Sequence, residues 1–167
     1  HLVRDALQRI GHLSDPSVAH TVGMADPWHY RNRLTVRTGR GGLGLVAADG
    51  RSHLPVSDCP VSHELLAGLL ATLQVPECAG LEVVLRAGLH TGDQMIVLRD
   101  PDGSVDDLEI DTTASVVLSG PNGTQVAAGR PFLVERLGGR AFLVPPEAFF
   151  QVNTEMAEVL VGLVRDA

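Results

Sequence analysis

Glycine and proline interrupt this chain so often that a long helical bundle is excluded. Its 167 residues include 18 Gly and 10 Pro, which cut the apolar pattern into short runs. Such runs must become strands, tight turns and brief helices. Hydrophobic residues make up 44%, enough for a sizeable core at this length, whereas aromatics are only 4%. Aliphatic side chains therefore fill most of that core, and the length suits one domain or one and a half small ones.

Leu2, Val3, Ala6, Leu7 and Ile10 repeat at helical spacing, with Gly11 placed to end the helix. A loop rich in Ser, Asp and Pro leads to Pro27. Residues 31–38 alternate Arg with Leu34, Val36 and Thr38, the pattern of a strand with one buried and one charged face. GRGG at 39–42 turns the chain into a hairpin partner at 43–48, and Asp49-Gly50 makes a further tight turn. A helix starts at Ser62, lines Leu65, Leu66, Leu69, Leu70 and Leu73 along one face, and stops at Pro76. Strands are predicted at 81–89, 94–99, 114–118, 124–128, 132–136 and 141–144. Asn153 caps a last helix whose apolar side carries Met156, Val159, Leu160 and Leu163. Hairpins in series with a few packed helices predict an α+β fold built on mostly antiparallel sheet.

Every basic residue is Arg, and the formal net charge is −7. The missing Lys reads as a compositional bias of the genome. An acidic chain is a poor nonspecific binder of nucleic acid, because that affinity comes mainly from released counterions. Any RNA contact must be local or must borrow charge from elsewhere. Cys59 and Cys78 form no CxxC pair, nothing suggests a disulfide framework, and there is no signal peptide or bilayer-spanning run. The expected location is the cytoplasm. Both ends lie in helical periodicity without a polar tail, as expected of a domain cut from a longer protein.

Several local signals fail on inspection. The acidic run 100–111 has Gly103 at its fourth position, whereas a calcium-binding EF-hand loop needs Gly at the sixth. A solvated acidic turn is the better reading. Histidines at 1, 12, 20, 29, 53, 63 and 90 form no ligand pair with a nearby carboxylate, so no metal site is expected. GRGGLG at 39–44 lacks the strand–loop–helix setting of a dinucleotide fingerprint. Cys59 precedes a helix start, where a thiol can be activated, but a small half-buried turn residue explains it as well. Cys78 has no supporting context.

Two segments do not read as scaffold. Trp28-His29-Tyr30-Arg31-Asn32-Arg33 holds the only Trp and the only Tyr beside two Arg. Aromatic faces stack on unpaired bases, and guanidinium groups grip phosphate. Against this, the aromatics can simply pack a corner. Pro145 to Asn153 (PPEAFFQVN) sets two Phe beside Gln and Asn ahead of a helix start. Amides match a base edge, and a helix start favours anions. Equally, Asn153 can merely cap and the Phe pair fill core.

Taken in order, HLVRDALQRIG, WHYRNR, DCPV, GDQMIVLR and above all AFFQVN followed by an amphipathic helix resemble the RNA uracil-5-methyltransferase family. The resemblance runs through nearly the whole chain. It implies a central, substrate-facing domain over residues 1–152, with 153–167 leading into a Rossmann-like methyltransferase domain beyond this sequence. That further domain would carry most contacts to S-adenosylmethionine, the catalytic Cys and the base. An iron–sulfur cluster can precede the segment in some members. The implied reaction is thiolate addition at uracil C6, methylation at C5, and loss of the C5 proton and the Cys. The target base must leave the stack to be reached.

By position, Gln151 resembles the family glutamine at the target-base and cofactor pocket. Phe149 resembles the adjacent aromatic wall, and Asn153 the helix cap that shapes it. Arg31 and Arg33, with Tyr30, resemble residues near bound RNA. No catalytic residue is assigned within residues 1–167, and the segment alone is expected to be inactive. The implied partners are RNA, ribosomal ahead of transfer, and the flanking domains of the same chain, with no membrane. The short acidic stretch between Arg99 and Ala114 fits the family pattern least. The rival readings are a non-catalytic RNA-binding module and a purely structural domain of the same architecture.

Overall fold

The computed structural model describes residues 2–74, 80–100, 103 and 110–167. The order of elements is α1 (Leu2–Arg9), β1 (Arg33–Gly39), β2 (Gly42–Val46), β3 (His53–Pro55), α2 (Glu64–Thr72), β4 (Glu82–Ala87), β5 (Gln94–Arg99), β6 (Ser115–Gly120), β7 (Gly123–Ala128), β8 (Leu133–Leu137), β9 (Arg140–Val144) and α3 (Thr154–Arg165). The first seven strands form one sheet in the order β3-β2-β1-β4-β5-β6-β7, and β8-β9 is a separate hairpin. Neighbours in the large sheet are antiparallel except β5 and β6, which run parallel. The α+β expectation holds.

β1 shows why the sheet can carry two faces. Leu34, Val36 and Thr38 are buried while Thr35 and Arg37 are exposed, as a period of two demands. One face of the sheet, with Leu34, Val36, Leu85, Ile96 and Leu98, packs on Leu66, Leu69 and Leu70 of α2. The opposite face sets Val84, Met95, Val97 and Val117 against Leu133, Val144 and the partly buried Phe150. The hairpin β8–β9 and the following segment thus cover the face that α2 leaves open.

Two helices keep apolar stripes uncovered. No residue of α1 is buried, and Leu2 is 86% and Ile10 80% exposed. In α3, Thr154 and Ala157 are the buried residues. The apolar side read from the sequence looks outward instead, with Leu160 at 51% and Leu163 at 52% exposure. One boundary also shifts. His63, not Ser62, caps α2, its Nδ1 accepting from Leu65 N–H at 3.2 Å. Ser62 is fully buried beside Arg31 and spends its N–H on the Cys59 carbonyl. The short β3 was not expected; it adds to β2 as an edge.

The hairpin reading of 39–44 is confirmed by pairing of Gly39 with Gly42, where Gly41 sits at φ +88°. Cys59 is a partly buried residue packed against the α2 side of the core, in line with the turn reading. Cys78, Pro76 and most of the acidic run 100–111 lie outside the described residues. Among the described residues, no helix is long and apolar enough to cross a membrane, and no group of three or more His, Cys, Asp or Glu is placed to hold a metal ion.

Candidate RNA- and base-facing site

The two unusual segments meet. Arg31 bridges Ser62 on one side and Asn153 on the other. Its N–H donates to the Val61 carbonyl at 2.8 Å, and its carbonyl accepts from His63 N–H at 3.0 Å. Asn32 makes the decisive contacts. Its backbone N–H donates to the Val152 carbonyl at 2.8 Å. Its side-chain Nδ2 donates to the Gln151 carbonyl at 2.8 Å and to Thr154 Oγ1 at 3.0 Å. Asn32 is 6% exposed; its bond to Thr154 is buried and its bond to Gln151 partly so.

The network continues inward. Thr154 Oγ1 donates to Glu135 Oε2 at 3.1 Å. Glu135, 1% exposed, also accepts from the backbone N–H groups of Leu89 (2.8 Å), His90 (3.1 Å) and Arg136 (2.8 Å). A buried carboxylate is tolerable only when its lone pairs are filled this way. The chain Asn32–Thr154–Glu135 therefore ties the start of α3, the β4–β5 turn and strand β8 to β1.

The other end of the AFFQVN segment is held by arginines. Arg86, 3% exposed, donates through Nη1 to the carbonyls of Pro145 (2.9 Å) and Pro146 (2.7 Å). Burial first, and then the nearby Arg33, pull its pKa down to about 10. Arg99 reaches Glu147 with two bonds, Nε to Oε1 at 3.1 Å and Nη2 to Oε2, and also contacts Glu82. That hydrogen-bonded Arg99 holds the Glu147 carboxyl below its ordinary value.

Between these anchors the segment alternates. Phe150 turns in, 5.9 Å from the Phe142 ring centroid, while Phe149 turns out at 79% exposure. Gln151 is exposed and Val152 partly buried. Asn153 is the N-cap of α3, its side chain accepting from Met156 N–H at 2.9 Å. The sequence alternatives for the Phe pair thus divide, one Phe to the core and one to the surface.

The expected residues fall on one ridge with two flanks. Arg31 and the stretch from Gln151 to Asn153 are brought side by side. Arg33 lies opposite Arg86 on the neighbouring strand, toward Glu147. Tyr30 lies toward a cleft with Trp28. Asn32, Glu135 and Thr154 were not singled out from the sequence. Their signal was parity: Asn32, just ahead of β1, and Glu135 in β8 are polar residues in step with the buried positions of those strands.

No protein-family model matches the chain. An uncharacterized RNA methyltransferase of Thermosynechococcus vestitus is 33% identical over 199 aligned residues, which take in 99% of this chain. Another from Halalkalibacterium halodurans is 27% identical and takes in 95%. The chain is homologous to part of these RNA methyltransferases. It spans 44% of the first relative and 42% of the second, a little under half their length. In fold it matches the Pyrococcus abyssi tRNA (uracil-54, C5)-methyltransferase, solved with S-adenosyl-L-homocysteine, at a TM-score of 0.64 and 21% identity, over 85% of this chain and 42% of that one.

Proposed function

We propose that this chain is the substrate-facing segment of an S-adenosylmethionine-dependent RNA uracil-5-methyltransferase, inactive without the remainder of such an enzyme. The observation that carries the reading is the clamped AFFQVN segment. Asn32 and Arg86 hold backbone carbonyls at its two ends and Arg99 holds the Glu147 carboxylate, yet Phe149 and Gln151 stay at the surface, where no folding role requires a large aromatic. An exposed ring beside an amide, at a capped helix start, is suited to stack on and read an extruded uracil.

The residues present fit one wall of a cofactor site. Gln151 and the first turn of α3 would face the cofactor, which supplies the methyl group when bound. Phe149 and Gln151 would orient the base, and Arg31 and Arg33 would meet the flanking phosphates. The net charge of −7 agrees with a segment that leaves general phosphate attraction to other domains.

The test is release of tritium from RNA labelled at uridine C5, with S-adenosylmethionine, using the full-length gene product and this segment in parallel. Ribosomal and transfer RNA are offered separately. Release by the full-length protein, cut at least tenfold in Gln151→Ala and Phe149→Ala and absent from the segment, is expected. Both side chains are exposed, so the variants keep wild-type melting temperatures. Undiminished release in Gln151→Ala refutes the site. No release from either RNA leaves the non-catalytic RNA-binding module ahead.

A further inference from the structure

A second surface feature is left unused by that reading. Trp28 and Tyr30 line a cleft of about 380 Å³, together with His29, His63 and His90. That volume lies within the roughly 300–1,000 Å³ usual for small-molecule sites. Glu155 of α3 lines it as well, so the cleft borders the AFFQVN ridge within about one helical turn. Its walls are set by backbone contacts. His29 sits at φ +51°, its N–H donating to the Pro60 carbonyl at 3.0 Å. Trp28 N–H donates to Asp26 Oδ1 at 3.0 Å.

The histidine partners decide what the cleft offers. A carbonyl can only accept, so a ring nitrogen facing one must carry the proton. Nδ1 of His29 faces the Ser62 carbonyl at 3.2 Å, and Nδ1 of His90 faces the Arg136 carbonyl at 2.9 Å. In the Nδ1–H tautomer that these contacts select, each ring leaves Nε2 as a bare acceptor. His63 is the reverse, because its Nδ1 accepts from Leu65 N–H. Its proton is on Nε2, which is a donor. Asp26, Glu64 and Glu155 add carboxylates, and no Arg lines the cleft.

Such a site repels phosphate and is rich in acceptors with a single histidine donor. Among the bases, guanine alone presents N1–H and an N2 amino group on one edge, beside the O6 acceptor. Adenine and cytosine have one exocyclic amino group each, and uracil one ring N–H. We propose that this cleft binds an unpaired guanine of the substrate RNA. The base stacks on Trp28, its N–H groups face the carboxylates and bare Nε2 atoms, and its O6 takes the His63 Nε2 proton. The inference rests on the RNA reading above, and adds a sequence-selecting subsite beside the methylated uridine.

Trp28 is the only tryptophan, so its fluorescence reports the site directly. The 167-residue chain is titrated with guanosine, adenosine, cytidine and uridine, and with single-stranded hexauridine carrying one guanosine or none. Saturable quenching by guanosine, at least tenfold tighter than by the others and weakened at least tenfold in Glu64→Gln/Glu155→Gln, is expected. Nitrogen-detected NMR should place the ring proton on Nδ1 of His29 and His90 and on Nε2 of His63. Equal quenching by all four nucleosides, or none by a folded chain, overturns the proposal, as does the opposite tautomer pattern. Guanine selectivity without uridine methylation by the full-length protein keeps the subsite and retires the methyltransferase reading. Methylation with base-blind quenching does the reverse.

Discussion

Replacing Asn32 by Ala should loosen the AFFQVN segment more than any comparable change at the surface. The side chain donates to the Gln151 carbonyl at 2.8 Å and to Thr154 Oγ1 at 3.0 Å. The stranded, partly buried Gln151 carbonyl costs about 1–3 kcal/mol, and the lost bond to Thr154, which keeps Glu135 as its acceptor, about 1 kcal/mol. Together the loss is about 2–4 kcal/mol. With a urea dependence of about 2 kcal/mol per molar, the unfolding midpoint should fall by about 1–2 M. Asn32→Asp sharpens the test. The new carboxylate would face a carbonyl and a hydroxyl whose one proton already serves Glu135. Burial raises its folded pKa above the unfolded value, so the folded state binds the proton more readily. Its destabilisation relative to wild type is therefore largest above that raised value and shrinks as pH falls through it. An Asn32→Ala stability within about 0.5 kcal/mol of wild type, or an Asp variant whose deficit grows toward acid, would refute the argument.

Two further outcomes follow from the same framework. Arg99 hydrogen-bonds Glu147 and depresses its pKa below 4.5; a depressed carboxylate contributes stability above its unfolded pKa and loses it as pH falls through the folded value. Arg99→Gln should thus lower the melting temperature at pH 7, with the gap closing in acid below about pH 4. With side chains 32% and 42% exposed, the effect is about 1 kcal/mol or less. Gly88→Ala would place a Cβ 2.1 Å from the Val134 carbonyl and 2.4 Å from Thr91 Oγ1. It should cost about 1–3 kcal/mol by calorimetry through forced separation of the β4–β5 turn from β8.

Much of the scaffold was legible because alternation and turn chemistry are local. β5 was read at its exact span, and the β1–β2 hairpin from its glycines. The parallel join of β5 to β6 was not, since strand order depends on a crossover rather than on either strand. Nor did the sequence indicate what the apolar stripes of α1 and α3 touch. Helical spacing shows that a stripe exists; it carries no information on the surface that covers it. The cap of α2 was misplaced by one residue because Ser62, the better cap by type, is held by Arg31 and the Cys59 carbonyl. There a tertiary contact overrides local preference.

The candidate site obeys the same period of two, applied outside any paired strand. Phe149 and Gln151 share one parity and are exposed; Phe150 and Val152 share the other and are partly buried. A slip of one residue would bury the Gln151 amide without a partner and expose Phe150. Nothing in the local sequence forbids that slip, because both registers contain one Phe facing in. It is forbidden by Asn32, whose N–H and Nδ2 take the carbonyls of Val152 and Gln151, and by Arg86 and Arg99 at the other end. Asn32 lies more than a hundred residues from the atoms it positions. The segment that looks most like a signature therefore acquires its geometry from a different part of the chain, and the two motifs are one device.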